Sequence, residues 1–255
     1  MRTADELRDA VEAYLGSLAL APELGALEQP LRYSLESGGK RVRPLLCLAV
    51  AEANGTSFED AMPAAAALEL VHTFSLVHDD LPALDDDERR GRPSAHVAFG
   101  EGVALLAGDA LVAEAFRLAL TYESPEVARH LAAATLGMIG GQYRDITGDT
   151  ADLEELHGLK TGRLFVAAVQ IGLDVAAVGA GERPPWIAFG EDVGLLFQVV
   201  DDLLDGDGYV DRLGTEATRA LADEVAERAS SRLDELACDT TVLRDLLDAL
   251  TFRTG

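Results

Sequence analysis

The chain has 255 residues and a net charge of −24, with 45 acidic side chains against 21 basic ones. That balance argues against nucleic acid or an anionic membrane as a partner. Hydrophobic residues make up 48%, enough for a substantial core, yet no stretch reaches the roughly 18–20 uncharged residues of a membrane span. The basic residues are nineteen arginines and only two lysines, Lys40 and Lys160. A position that needs a compact, rotatable ammonium resists replacement by guanidinium, so both lysines are candidates for specific roles.

The predicted elements, in chain order, are almost all helical. "MRTADELRDAVEAYLGS" has no signal-peptide apolar region, and "ADELRDAVEAYLGSLAL" puts apolar residues at 7, 11, 15 and 18 on one helix face. "RPLLCLAVAEANG" opens with Pro44 and stops at Asn54-Gly55. Residues 57–80 continue the pattern, with Pro63 marking either a start or a kink. Further helical runs cover 101–122, 125–147, 152–180, 185–205 and 215–236, with a shorter piece at 240–252. There is no β-alternation, internal repeat or low-complexity linker. Cys47 and Cys238 lack metal-ligand spacing, which predicts free thiols in a reducing cytoplasm. The expectation is one all-α domain over 1–255, a bundle of about ten helices.

Two segments carry the chemistry. "LVHDDLPALDDDERRGRPSAH" (76–96) and "GLLFQVVDDLLDGDG" (194–208) each run from an apolar helix into clustered aspartates. Asp201 and Asp205 stand at i and i+4 and share a face, with Asp202 about 100° round. Pro82 disfavours uninterrupted helix after Asp80, so Asp85 is expected to return from a loop. Like charges at a helix C-terminus repel one another and the macrodipole. One such end can be a solvated surface; two call for a cation. Carboxylates with no His or Cys interleaved at metal spacing favour Mg²⁺ over zinc, and Mg²⁺ shares its shell with water and phosphate. The cations fit polyanionic ligands, diphosphates foremost. In "SGGKRVRP" (37–44), Lys40 and Arg43 at i, i+3 can face the same way. Arg89 and Arg90 follow the first acidic run, and "HGLKTGRLF" (157–165) holds Lys160 and Thr161.

At these residues the sequence resembles the trans-isoprenyl diphosphate synthases (polyprenyl synthetases), in particular short-chain farnesyl diphosphate synthases of the bacterial type. "HDDLPALDDDERRGRPSAH" is similar to the family's first aspartate-rich motif and "FQVVDDLLD" to its second. "GGKRVRP", "LVHTFSLVHDD", "LLAGDAL", "GGQYRDI" and "LKTGRLF" are similar to further blocks in the family's order. The resemblance implies an isoprenoid synthase fold around a central cavity, a homodimer, and Mg²⁺, expected as three ions bound with the substrate diphosphate. It implies Asp79, Asp85, Asp201 and Asp205 as metal ligands, with Asp80, Asp202 and Lys160 completing the catalytic set. Lys40, Arg43, His72 and Arg90 would hold isopentenyl diphosphate. Arg89 and Lys160 would hold the allylic diphosphate (dimethylallyl or geranyl), in a pocket lined by Thr161, Gln142 and Gln198.

Phe74, with Ser75 beside it, lies five residues before Asp79, about 7–8 Å down the helix. An aromatic there is expected to act as a chain-length floor and to favour a C15 product over the C20 geranylgeranyl alternative. Two features depart from the family. "DDDERRG" is one residue short, which makes the roles of Arg89 and Arg90 interchangeable. No lysine follows Lys160, where relatives carry a lysine-bearing loop, and Arg212 or Arg219 would have to substitute. That leaves a non-catalytic subunit of a prenyl synthase as a rival reading. A terpene cyclase is disfavoured by "GGKRVRP", and a helical binding module with solvated acid clusters is the bland alternative.

Overall fold

The computed structural model describes residues 2–36, 38–86, 88–90, 92–148 and 153–251, without the side chains of Arg89 and Arg90. Helices α1 (Ala4–Ser17), α2 (Glu28–Leu35), α3 (Val42–Ala53) and α4 (Phe58–Asp79) form the first half of the bundle. A two-residue antiparallel ribbon follows, β1 (Arg89–Arg90) with β2 (Arg92–Pro93). Then come α5 (Ala95–Phe99), α6 (Glu101–Ala119), α7 (Glu126–Thr147), α8 (Leu153–His157) and α9 (Arg163–Val175). The chain closes with α10 (Arg183–Asp205), α11 (Tyr209–Leu213), α12 (Thr215–Asp234) and α13 (Thr241–Thr251). Ten of these helices have eight residues or more among the described residues, in line with the expected bundle.

Local chemistry explains most of the boundaries. Thr3 and Glu6 form a reciprocal capping box that starts α1, and the Ser57 side chain caps α4. Gly206, left-handed at φ 76°, ends α10. Pro63 lies inside α4 and neither starts nor ends it. The Tyr122 hydroxyl sits where the helix would otherwise close its own bond. It accepts from the Ala64 N–H at 3.1 Å and donates to the Asp60 carbonyl at 2.7 Å. Backbone groups loosened by the proline therefore keep partners.

The helix spans need two corrections. The run 152–180 is not one helix, because a π-helical turn, Gly158–Gly162, separates α8 from α9, which ends at Val175. Helix α2 was not expected; Pro30 falls in its first turn, where a missing N–H costs nothing. The two-residue ribbon leaves the all-α class intact and is too short to show as alternation in the sequence. Buried side chains from α1, α3, α4, α6, α9, α10, α12 and α13 make one apolar cluster, with Phe165 and Phe189 among its largest members. Helices α4 and α10 run through that cluster, so their polar C-terminal ends are held by most of the core.

Candidate active site

The ends of α4 and α10 open on one cavity of about 460 Å³. Asp79 and Asp85 line it from one side, Asp201, Asp202 and Asp205 from the other. Asp85 does return from a loop: its N–H donates to the Asp79 carbonyl at 2.9 Å. The two predicted carboxylate clusters thus share a chamber. Crowding shows in Asp207, which also lines it. Its carboxyl is held above the ordinary value by burial first, then by the charges of Asp202, Asp205 and Asp211.

Cations and amides complete the wall. Arg43, His72, Lys160, Thr161 and Gln198 line the same cavity. Lys160 Nζ donates to Asp145 Oδ2 at 2.6 Å. The Arg43 guanidinium lies 4.6 Å from the Phe165 ring centroid and 5.4 Å from that of Phe197, and its Nε is buried without a hydrogen-bond partner. Burial pushes its pKa down to about 10, against the pull of Glu69 and Asp201, so it stays charged at neutral pH. A buried guanidinium with an unused donor suits an anion.

Asp202 acts as a hub. Its carboxylate accepts from Gln198 Nε2 at 2.7 Å and from the Tyr209 N–H at 2.8 Å. Gln198 Oε1 in turn accepts from the Thr161 hydroxyl at 2.9 Å. The segment after the second motif is therefore latched onto α10 and tied to the π-helical turn. Gly208 permits this, at φ 52° and with its missing Cβ standing 2.2 Å from Asp202 Oδ2. Gly141 makes a second close approach, where a Cβ would meet Lys160 N at 2.6 Å.

An apolar pocket of about 260 Å³ adjoins the acidic cavity and shares Ser75, Asp79, Met138 and Lys160 with it. Phe74, Leu84, Ile139 and Ile146 line its interior, and Gln142 borders it while donating to Asp85 Oδ1 at 3.4 Å. A charged chamber thus continues into an apolar one.

Some predicted residues fall elsewhere. Asp80 lines a small cleft with Tyr33, Thr73 and Arg92 and not the cavity of Asp79, because neighbouring positions at a helix end point about 100° apart. Lys40 is exposed and does not line the cavity. The i, i+3 argument fails there because α3 begins only at Val42 and Arg41 is left-handed at φ 49°. Arg212 and Arg219 are exposed and line neither chamber. The side chains of Arg89 and Arg90 lie outside the described residues. Sequence reasoning gave no role to Asp145, His157 or Asp207, although each falls in or beside a quoted motif. The His157 pKa is lowered by burial, over the pull of Asp202, Asp145 and Asp207, and its Nδ1 lies 3.9 Å from Asp202 Oδ2.

The facing aspartates offer oxygen donors alone, which suits a hard cation such as Mg²⁺, although His72 and His157 border the same chamber. Among the described residues no three His, Cys, Asp or Glu side chains converge as a ready-made cage. An ion that keeps several waters and shares its shell with a bound phosphate needs none.

An all-α bundle with two aspartate-rich helix ends facing across a chamber, beside an apolar pocket, is an isoprenoid synthase fold. A solved geranylgeranyl pyrophosphate synthase matches it with a TM-score of 0.89 over 100% of both chains, at 26% identity. The polyprenyl synthetase family model matches residues 25–225. The chain is 40% identical over 205 residues to farnesyl diphosphate synthase of Bacillus subtilis (strain 168), covering 74% of this chain and 69% of that one. It is 39% identical over 213 residues to geranylgeranyl diphosphate synthase of Cyanophora paradoxa, covering 77% and 71%. The chain belongs to the polyprenyl synthetase family. Among the described residues no helix is long and apolar enough to cross a membrane.

Proposed function

We propose that the protein is a Mg²⁺-dependent trans-prenyltransferase. It joins isopentenyl diphosphate to dimethylallyl or geranyl diphosphate and releases chiefly farnesyl diphosphate. One observation carries the reading: the acidic chamber and the apolar pocket share four lining residues, so a charged head and a lipid-like tail fit side by side. The family relationship supports the reaction class, and the aromatic Phe74 in the pocket favours C15 over C20.

Asp79, Asp85, Asp201 and Asp205 would hold Mg²⁺, which when bound neutralises charge on the departing diphosphate. Lys160, paired with Asp145, reaches the same region and serves the allylic diphosphate. Arg43 and His72 serve the second substrate, and its double bond attacks the allylic carbon as the carbon–oxygen bond breaks. Proton loss then restores neutrality, with the released diphosphate as the base. Apolar walls of Phe74, Leu84 and Met138 exclude water that would otherwise quench the cation. The exposed apolar side chains Leu136, Ile139, Tyr143 and Ile146 of α7 support a homodimer.

The test is incubation with isopentenyl and dimethylallyl diphosphates and Mg²⁺, followed by sizing of the dephosphorylated products. C15 alcohol that disappears with EDTA is expected; no chain growth would reduce the protein to a binding role. Phe74→Ala is expected to move the main product to C20 or longer, and unchanged C15 output refutes the floor. Gly141→Ala probes the turn that presents Lys160. The added methyl faces backbone atoms, 2.6 Å from Lys160 N and 2.8 Å from Cα, so the turn must shift. A displacement on that scale is expected to lower kcat/KM about a hundredfold with helicity by circular dichroism unchanged. A kcat/KM close to wild type would mean that the turn adapts freely.

A further inference from the structure

We propose that His78, seated in a notch at Gly108, is the side wall that braces Phe74 from the Asp79 side and sets the height at which Phe74 stops the growing chain. The inference rests on the reading of the apolar pocket as the place of chain growth. His78 stands one helical turn beyond Phe74 on α4, and both rings line the pocket. They meet edge to face, with centroids 5.4 Å apart and planes at 86°.

The His78 ring is held from behind by α6. Its Nε2 lies 3.0 Å from the Leu105 carbonyl oxygen. A carbonyl only accepts, so Nε2 carries the proton and donates. Gly108 is buried directly beneath the ring. A Cβ at position 108 would stand 2.2 Å from Nε2 and 2.3 Å from Cδ2, so the imidazole occupies the volume that any side chain there would need. Asp109 Oδ1 lies 3.9 Å from the same nitrogen. The ring is thus wedged between an α6 carbonyl and the Phe74 edge, and its depth is set by the absence of one methyl group.

Opposite changes should move the product in opposite directions. His78→Ala removes the ring, widens the wall above Phe74 and frees Phe74 to tilt out of the chain's way; Gly108→Ala drives the ring towards the pocket. With wild type giving C15, His78→Ala is expected to raise the C20:C15 ratio about tenfold, the scale of one lost aromatic contact. Gly108→Ala is expected to raise the C10:C15 ratio by a similar factor. The measurement is product sizing beside Phe74→Ala, at equal turnover. If Phe74→Ala lengthens the product while active His78→Ala and Gly108→Ala keep the wild-type distribution, the His78 inference is overturned and the floor stands. If Phe74→Ala also changes nothing, the pocket reading falls and takes the inference with it. Should Gly108→Ala be insoluble, the double variant Gly108→Ala, His78→Ala decides. Its methyl enters the vacated space, so it should fold and match the products of His78→Ala; continued insolubility overturns the notch.

Discussion

Asp201→Asn is expected to lower kcat about a thousandfold, the loss seen when one group that stabilises developing charge is removed. Asp201 lies in the last turn of α10 and lines the chamber opposite Asp79 and Asp85. Asparagine keeps its shape and removes one negative charge from a wall that already holds Asp202, Asp205 and Asp207. Its carboxylate neighbours repel it while the buried Arg43 attracts it, so the substitution should change Tm little. Activity loss without stability loss is the signature of a group held for chemistry. Asp211→Asn is the control, because Asp211 is exposed on α11 and does not line the chamber. Steady-state kinetics beside thermal unfolding check both; kcat within tenfold of wild type for Asp201→Asn would remove this carboxylate from the mechanism.

Arg41→Ala is expected to cost about 3–5 kcal/mol of unfolding free energy, the usual penalty for leaving one partner of a buried ion pair alone. The Arg41 side chain is 2% exposed and Glu69 only 5%. Nη1 donates to Glu69 Oε1 at 2.5 Å, Nε to Glu12 Oε1 at 2.7 Å and Nη2 to the Leu35 carbonyl at 2.5 Å. One guanidinium therefore joins α1, the end of α2 and α4 at the start of α3. Urea unfolding measures the loss. Replacing both partners by apolar residues, Arg41→Met with Glu69→Leu, should recover most of it, since neither buried charge is then left unpaired. A loss below about 1 kcal/mol for Arg41→Ala would mean that water reaches Glu69 freely.

These two residues mark how far a sequence can be read. Asp201 was legible because helical period is local: the i, i+4 pair with Asp205 shares a face wherever the helix ends up. The facing cluster was legible for the same reason, with Pro82 predicting the break that returns Asp85 to Asp79. Arg41 was not. In "SGGKRVRP" three cations look alike, yet Arg43 lines the chamber, Arg41 is a core clamp and Lys40 is exposed. Asp80 likewise looks like a partner of Asp79 and faces another cleft.

Local sequence was enough for the helical class, most helix spans, the two aspartate-bearing helix ends and the aromatic five residues before Asp79. All of these follow from short-range periodicity, capping and proline chemistry. Tertiary structure alone decided which cation meets the chamber, why α4 tolerates Pro63, and how Asp202 latches the segment that follows it. Each of those depends on a partner distant in sequence: Glu69 for Arg41, Tyr122 for the loosened turn of α4, Thr161 through Gln198 for Asp202. The left-handed Arg41 is held by a buried carboxylate 28 residues away, together with Glu12 and the Leu35 carbonyl, and no local pattern encodes the Glu69 contact.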